Sequence, residues 1–283
     1  MQNFPATDNH MHINPVLGLG PIQIGKVFQK AGGTALMCVC LPSWSYNVRV
    51  LKPSDYETCY GYVFDCVEKI RTLGLHAYGV IGVHPAELTQ MLDRGIDLKK
   101  ARELMCAGLD IAAKWIKEEK AIAMGEIGRP HYPVSPEVWE ASNEILLYAL
   151  GLARDCGCAV QLHTESVGEK EIIELSKMVK KANMDHSRVV KHFSPPLIKI
   201  CEREKIFPSI IASNKNIEAA LKEGDRFLLE TDYMDDPKRP GAVLSPQSVP
   251  KRVNQLKEQQ DLKERLWKVN KEYPEKIYGV QFF

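Results

Sequence analysis

The chain alternates short apolar runs with longer helical ones from near its start almost to its end. Strand-like runs fall at residues 4–12, 34–41, 76–83, 121–126, 159–163, 188–192, 206–212 and 227–232. Helical runs follow at 22–32, 54–73, 98–119, 136–155, 169–182, 196–204, 216–223 and 250–272. Several of the strand runs are continuously apolar, as in Ala35-Leu36-Met37-Cys38-Val39, which suits parallel strands buried on both faces. Punctuation agrees: Gly32-Gly33 and Gly74 stop helices, and Ser135 before Pro136 starts one. Eight strand–helix units with no second pattern predict an α/β chain closed as a single (β/α)8 TIM barrel over residues 1–283. A doubly wound open sheet is the competing arrangement, but no G-x-G-x-x-G follows the first strand.

Composition narrows the classes of function. A hydrophobic share of 45% and a charged share of 26% can fill a sizeable core. A net charge of +1 makes no polyanion-attracting field over the whole molecule. Lysines and arginines cluster between Lys238 and Lys276, but interleaved Asp and Glu make that stretch a solvated face. No apolar run is long enough to span a membrane, and no basic-then-apolar start suggests a secretory signal. Eight cysteines without a C-x-x-C, mostly in apolar runs, point to reduced thiols and a cytoplasmic location.

The chemistry starts at Asp8-Asn9-His10-Met11-His12. Alternate strand residues share a face, so His10 and His12 form half of a metal site. Glu126, His163, His192 and Asp232 stand at the ends of later strand runs, and catalytic residues of this barrel lie at the carboxyl ends of its strands. Four imidazoles and two carboxylates exceed what one tetrahedral catalytic ion needs and suit two divalent ions about 3.5–4 Å apart. Glu126 is placed to bridge them, His10, His12 and Asp232 completing one ion and His163 and His192 the other. Zinc or manganese suits this donor set better than magnesium, which prefers oxygen.

These residues and motifs resemble the TatD family of metal-dependent hydrolases, within the amidohydrolase superfamily. The matches are Asp8-x-His10-x-His12, Gly82-Val83-His84-Pro85, Gly125-Glu126-Ile127-Gly128, His163, His192-Phe193 and Glu230-Thr231-Asp232, in the family's order. The resemblance implies a barrel with one or two divalent metals held by the six residues, Asp232 also accepting a proton, and His84 supporting the site or touching substrate. Some members of the family are deoxyribonucleases. The chain departs from the usual pattern at Arg129-Pro130-His131-Tyr132 and at Tyr233 to Pro240, loops at the mouth where substrate is chosen.

Other residues carry two readings each. Asp8 can orient an imidazole or make a buried structural contact. Arg129 and His131 can bind a phosphate or carboxylate, or simply sit exposed at the rim. His76 and His186 belong to the far end of the barrel and to stability. Lys191 must point away from His192, outside the barrel, which disfavours it as a bridging lysine. The expected activity is hydrolysis of a phosphodiester, in DNA or a small molecule, by a metal-activated water with Asp232 as general base. The alternatives are an amide, lactone or phosphotriester hydrolase on the same scaffold, and a non-catalytic barrel protein.

Overall fold

The computed structural model describes residues 4–282, so positions 1–3 and 283 of the expected 1–283 domain lie outside the described residues. Nine strands run in chain order: β1 Thr7–His12, β2 Ala35–Val39, β3 His76–Ile81, β4 Ala123–Gly128, β5 Ala159–His163, β6 Val189–Lys191, β7 Phe207–Ile211, β8 Leu228–Glu230 and β9 Tyr233–Met234. All pair in parallel in the order β8-β7-β6-β5-β4-β3-β2-β1-β9. Because β9 follows β8 after only Thr231 and Asp232, the two are halves of one strand. One half pairs with β7 and the other with β1, which curls the sheet round on itself.

The break corrects the reading of 227–232 as one continuous strand. Asp232 sits at φ +47°, in the left-handed region that Asp tolerates better than most residues, so the strand turns there and resumes. The Asp232 N–H donates to the His10 carbonyl at 3.0 Å and the Asp235 N–H to the His12 carbonyl at 3.0 Å. Asp8 holds the same seam: its carboxylate accepts from the Thr231 N–H at 3.1 Å and the Thr231 hydroxyl at 2.7 Å.

Helices cover the outside of the sheet for the reasons legible in their ends. Pro136–Cys156 begins where the Ser135 hydroxyl accepts from the Val138 N–H and stops at Gly157, φ +63°. Its buried face, Val138, Ala141, Ile145, Ala149 and Ala153, follows the helical period. A helix at Ala86–Asp93, directly after His84-Pro85, adds to the expected set. The closing stretch read as 250–272 resolves into Ser248–Leu256, Gln260–Trp267, a π-helical turn at Lys268–Glu272 and a further helix, Tyr273–Tyr278.

Two apolar layers result. Leu36 and Cys38 face outward into the core shared with the helices. Their neighbours Ala35, Met37 and Val39 join Val80, Ala123, Ala159, Val190 and Leu228 in a separate cluster on the other face, within the barrel. Ile277, Tyr278 and Phe282 complete that inner cluster, so the C-terminal segment plugs the barrel where its strands begin. His76 lies near Phe282 with ring centroids 6.2 Å apart, placing it at this far end as expected.

Candidate metal centre

At the opposite end of the strands, His10, His12, Glu126, His163, His192 and Asp232 converge. Local irregularities aim them. A register shift between Gly125 and Ile127 leaves Glu126 facing inward like Ala123, against strict alternation. Another between Asp8 and Met11 does the same for His10. Gly128, at φ +150°, permits the close approach of β5, since a Cβ there would fall 1.8 Å from the His163 carbonyl oxygen.

Glu126 is central and 3% exposed. Its Oε1 lies 2.8 Å from His163 Nδ1, 3.1 Å from His192 Nε2 and 3.8 Å from His10 Nε2. Its Oε2 lies 3.4 Å from His12 Nε2. Asp232 Oδ1 closes the other side, 3.8 Å from His10 Nε2 and 3.6 Å from His12 Nε2. Ligand atoms of His10, His12 and Asp232 form one compact group, and those of His84, Glu126 and His163 another.

The donor set fits a cation. His12 Nδ1 faces the Val39 carbonyl at 3.1 Å, so that nitrogen carries the proton. His10 Nδ1 faces Gln161 Oε1 at 2.7 Å, while the Gln161 amide nitrogen donates to the Asn9 carbonyl and the Tyr278 hydroxyl. Both Nε2 lone pairs therefore point at each other across 3.1 Å, an arrangement that a shared proton or a metal ion relieves.

Charge follows the same logic. Burial opposes ionisation of Glu126, but the neighbouring imidazoles of His192, His10 and His163 hold its carboxyl well below the usual range. Burial and the neighbouring His192 keep His10 neutral. Burial opposes protonation of His192 too, but Glu230 and Glu126 outweigh it and carry the imidazole up to about 10. His84 is pushed down to about 3 by burial and by His163.

A cleft of about 470 Å³ opens over the cluster, lined also by Trp44, His84, His131, Phe193 and Arg239. His131 Nδ1 lies 2.9 Å from His163 Nε2, and His84 Nδ1 accepts from the Ala86 N–H at 3.1 Å. Both line the cleft beside the cluster. Arg129 does not, which corrects its reading as a rim residue free to bind an anion. It is 0% exposed, its guanidinium already paired with Glu165 and Glu174 and stacked over Trp139 at 4.6 Å. Asp8 serves the seam with Thr231 and the His10 N–H rather than an imidazole. Burial lifts it to about 7 against those hydrogen bonds. Lys191 is buried; its ammonium donates to the His192 carbonyl at 2.5 Å, and burial lowers it to about 8.

Sequence reasoning missed the residues that brace the imidazoles. Glu230 Oε1 lies 3.2 Å from His192 Nδ1 and accepts from the Phe193 N–H at 2.6 Å. Gln161 does the corresponding work for His10. A lone polar residue in an otherwise apolar strand, as in Ala159-Val160-Gln161-Leu162, was the available signal.

Comparison with known proteins agrees with the geometry. The family model described as TatD related DNase matches residues 7–279. The uncharacterized protein MJ1127 of Methanocaldococcus jannaschii is 39% identical over 283 residues, 99% of this chain and 98% of its own length. Among solved structures, the TatD homologue YjjV of Escherichia coli K12 superposes with a TM-score of 0.65 at 17% identity, covering 96% of this chain and 98% of its own. A variant organophosphorus hydrolase from Deinococcus radiodurans superposes with a TM-score of 0.60 at 13% identity, covering 98% and 93% respectively. With a family model spanning nearly its whole length and a relative aligned end to end, this chain belongs to the TatD-related family.

Proposed function

We propose that the protein is a divalent-metal-dependent hydrolase that cleaves phosphodiester bonds with an activated water. The observation that carries this reading is the position of Glu126, whose two oxygens face His12 on one side and His163 and His192 on the other. His10, His12 and Asp232 would hold one ion and His163 and His192 a second, with Glu126 shared. Zinc or manganese is favoured by four imidazoles. Bound ions of this kind supply Lewis acidity and bring the pKa of water towards neutrality. Asp232, 13% exposed at its side chain and open to the cleft, takes the proton of the attacking water and returns it to the leaving group. The Glu230 carboxylate holds the His192 ring, and Gln161 holds that of His10, so the donors are oriented before substrate arrives. His84 and His131 stand beside the reacting centre to contact the substrate.

A second reading, a small-molecule lactone, amide or phosphotriester hydrolase, is favoured by the lining of the cleft. Arg239 is the one Lys or Arg side chain that lines it among the described residues, whereas a nucleic-acid groove gains its affinity from many. The fold shared with an organophosphorus hydrolase is compatible with it. Elemental analysis of protein purified without chelator comes first. Turnover of single-stranded DNA, an aryl phosphodiester, a phosphotriester, a lactone and an amide then separates the two. Hydrolysis confined to the last three would overturn the phosphodiester assignment.

A further inference from the structure

The inner plug does more than fill space. The Tyr278 hydroxyl, on a side chain 4% exposed, lies 2.7 Å from Asn9 Oδ1 and 2.8 Å from Gln161 Nε2. Two chains of hydrogen bonds leave it. One passes through Gln161, whose Oε1 meets His10 Nδ1 at 2.7 Å. The other passes from Asn9 Nδ2 to Ser209 Oγ at 3.1 Å, on to Glu230 Oε2 and, through Oε1, to His192 Nδ1 at 3.2 Å.

Donor and acceptor roles are determined at every link. The Asn9 carbonyl can only accept, so the Gln161 amide nitrogen faces it at 2.9 Å and also donates to Tyr278. Tyr278, having accepted there, donates to Asn9 Oδ1, which turns the Asn9 amide nitrogen towards Ser209. The Ser209 hydroxyl then donates to the Glu230 carboxylate. Both chains end by accepting the Nδ1 proton of an imidazole, which turns its Nε2 towards the cluster.

We propose that Tyr278 is a positioning residue for the metal centre: from the far end of the barrel, its hydroxyl sets the orientation of His10 and His192 through these two branches. The inference rests on the metal-binding reading above. The segment that carries Tyr278 is fastened independently. The Tyr78 hydroxyl donates to the Gln281 carbonyl at 2.9 Å, and Ile277 and Phe282 pack with the strands in the inner cluster, so the ring stays in place without its hydroxyl.

The test is Tyr278→Phe, which keeps the ring in the inner core, with zinc and manganese affinities measured by competition against a chromophoric chelator. The expected result is a folded variant whose affinity falls about tenfold, as for other residues that orient metal ligands. An affinity within about threefold of wild type overturns the proposal, whatever happens to the melting temperature, because a filler of the core would change stability alone. Should Tyr278→Phe not fold, Ser209→Ala cuts the Glu230 branch by itself, and wild-type affinity in that variant is the overturning result. A wild-type protein that binds neither ion overturns the metal reading and this inference together. Tight binding by the wild type and equally tight binding by the variants overturns only the inference.

Discussion

The imidazole of His10 lies stacked on that of His192, their centroids 3.9 Å apart and their planes 15° from parallel. The two come from strands that are not neighbours, one on β1 and one just beyond β6, and meet in the barrel's interior. Two protonated rings at that distance would repel, and the surroundings separate their states. Burial and the charge of His192 keep His10 neutral, whereas Glu230 and Glu126 hold a proton on His192. A metal ion arriving at His192 would have to displace that proton.

Asp232→Asn tests the proton acceptor. The amide keeps the size of the side chain at the left-handed position that divides β8 from β9 but loses its basicity. Turnover is expected to fall about 10²–10⁴-fold with the fold retained. Undiminished turnover in the folded variant would remove Asp232 from the role of base.

Glu126→Gln tests the shared ligand. Removing the negative charge that faces His10, His12, His163 and His192 together is expected to lower metal content at the whole cluster, not at half of it. Metal content per chain, measured after dialysis, checks this. A variant that keeps the wild-type content contradicts a bridging position.

Arg129→Met separates structure from recognition. The guanidinium is enclosed by Glu165, Glu174 and Trp139, so its loss leaves two carboxylates without their partner. We expect a loss of about 3 kcal/mol in denaturant unfolding, towards the low end for a buried pair because Glu174 is 47% exposed. KM should move little. A raised KM at unchanged stability would restore the substrate-binding role.

Glu87→Gln tests a buried carboxylate away from the cluster. Glu87 Oε1 accepts from the Ser43 N–H at 2.6 Å, while Oε2 is buried without a hydrogen bond among the described residues. Burial therefore raises its carboxyl above the ordinary value of 4.5. A folded pKa above the unfolded one means that the folded chain holds this proton more tightly. The penalty for the charged form is thus absent at low pH and complete once the pH has passed the folded pKa. Glu87→Gln should be more stable than wild type by about 1 kcal/mol at pH 8, with the gap closing towards pH 4. A gap that ignores pH would show that desolvated charge is not its cause.

Much of the candidate site was legible because strand alternation and position at a strand end are local properties. His10, His12, Glu126, His163, His192 and Asp232 each close an apolar run or lie within its final residues, and all six meet. Arg129 was misread because a polar residue just after a strand resembles a loop at the mouth. Its burial depends on Trp139, Glu165 and Glu174, which lie apart from it in the chain and from one another. Glu230 stood in a recognised motif, yet its contact with His192 reaches across β7 from β8 to the end of β6.

The sequence by itself determined that strand and helix alternate, that the strands are buried on both faces, and which donors stand at one end. These follow from periodicity, which the chain carries locally. Only the tertiary structure decided the break at Asp232, the shifts that turn His10 and Glu126 inward, and the link from Tyr278 to the imidazoles. Each of these depends on which strand lies beside which, and on donors and acceptors paired across as many as 269 residues of chain, as between Asn9 and Tyr278.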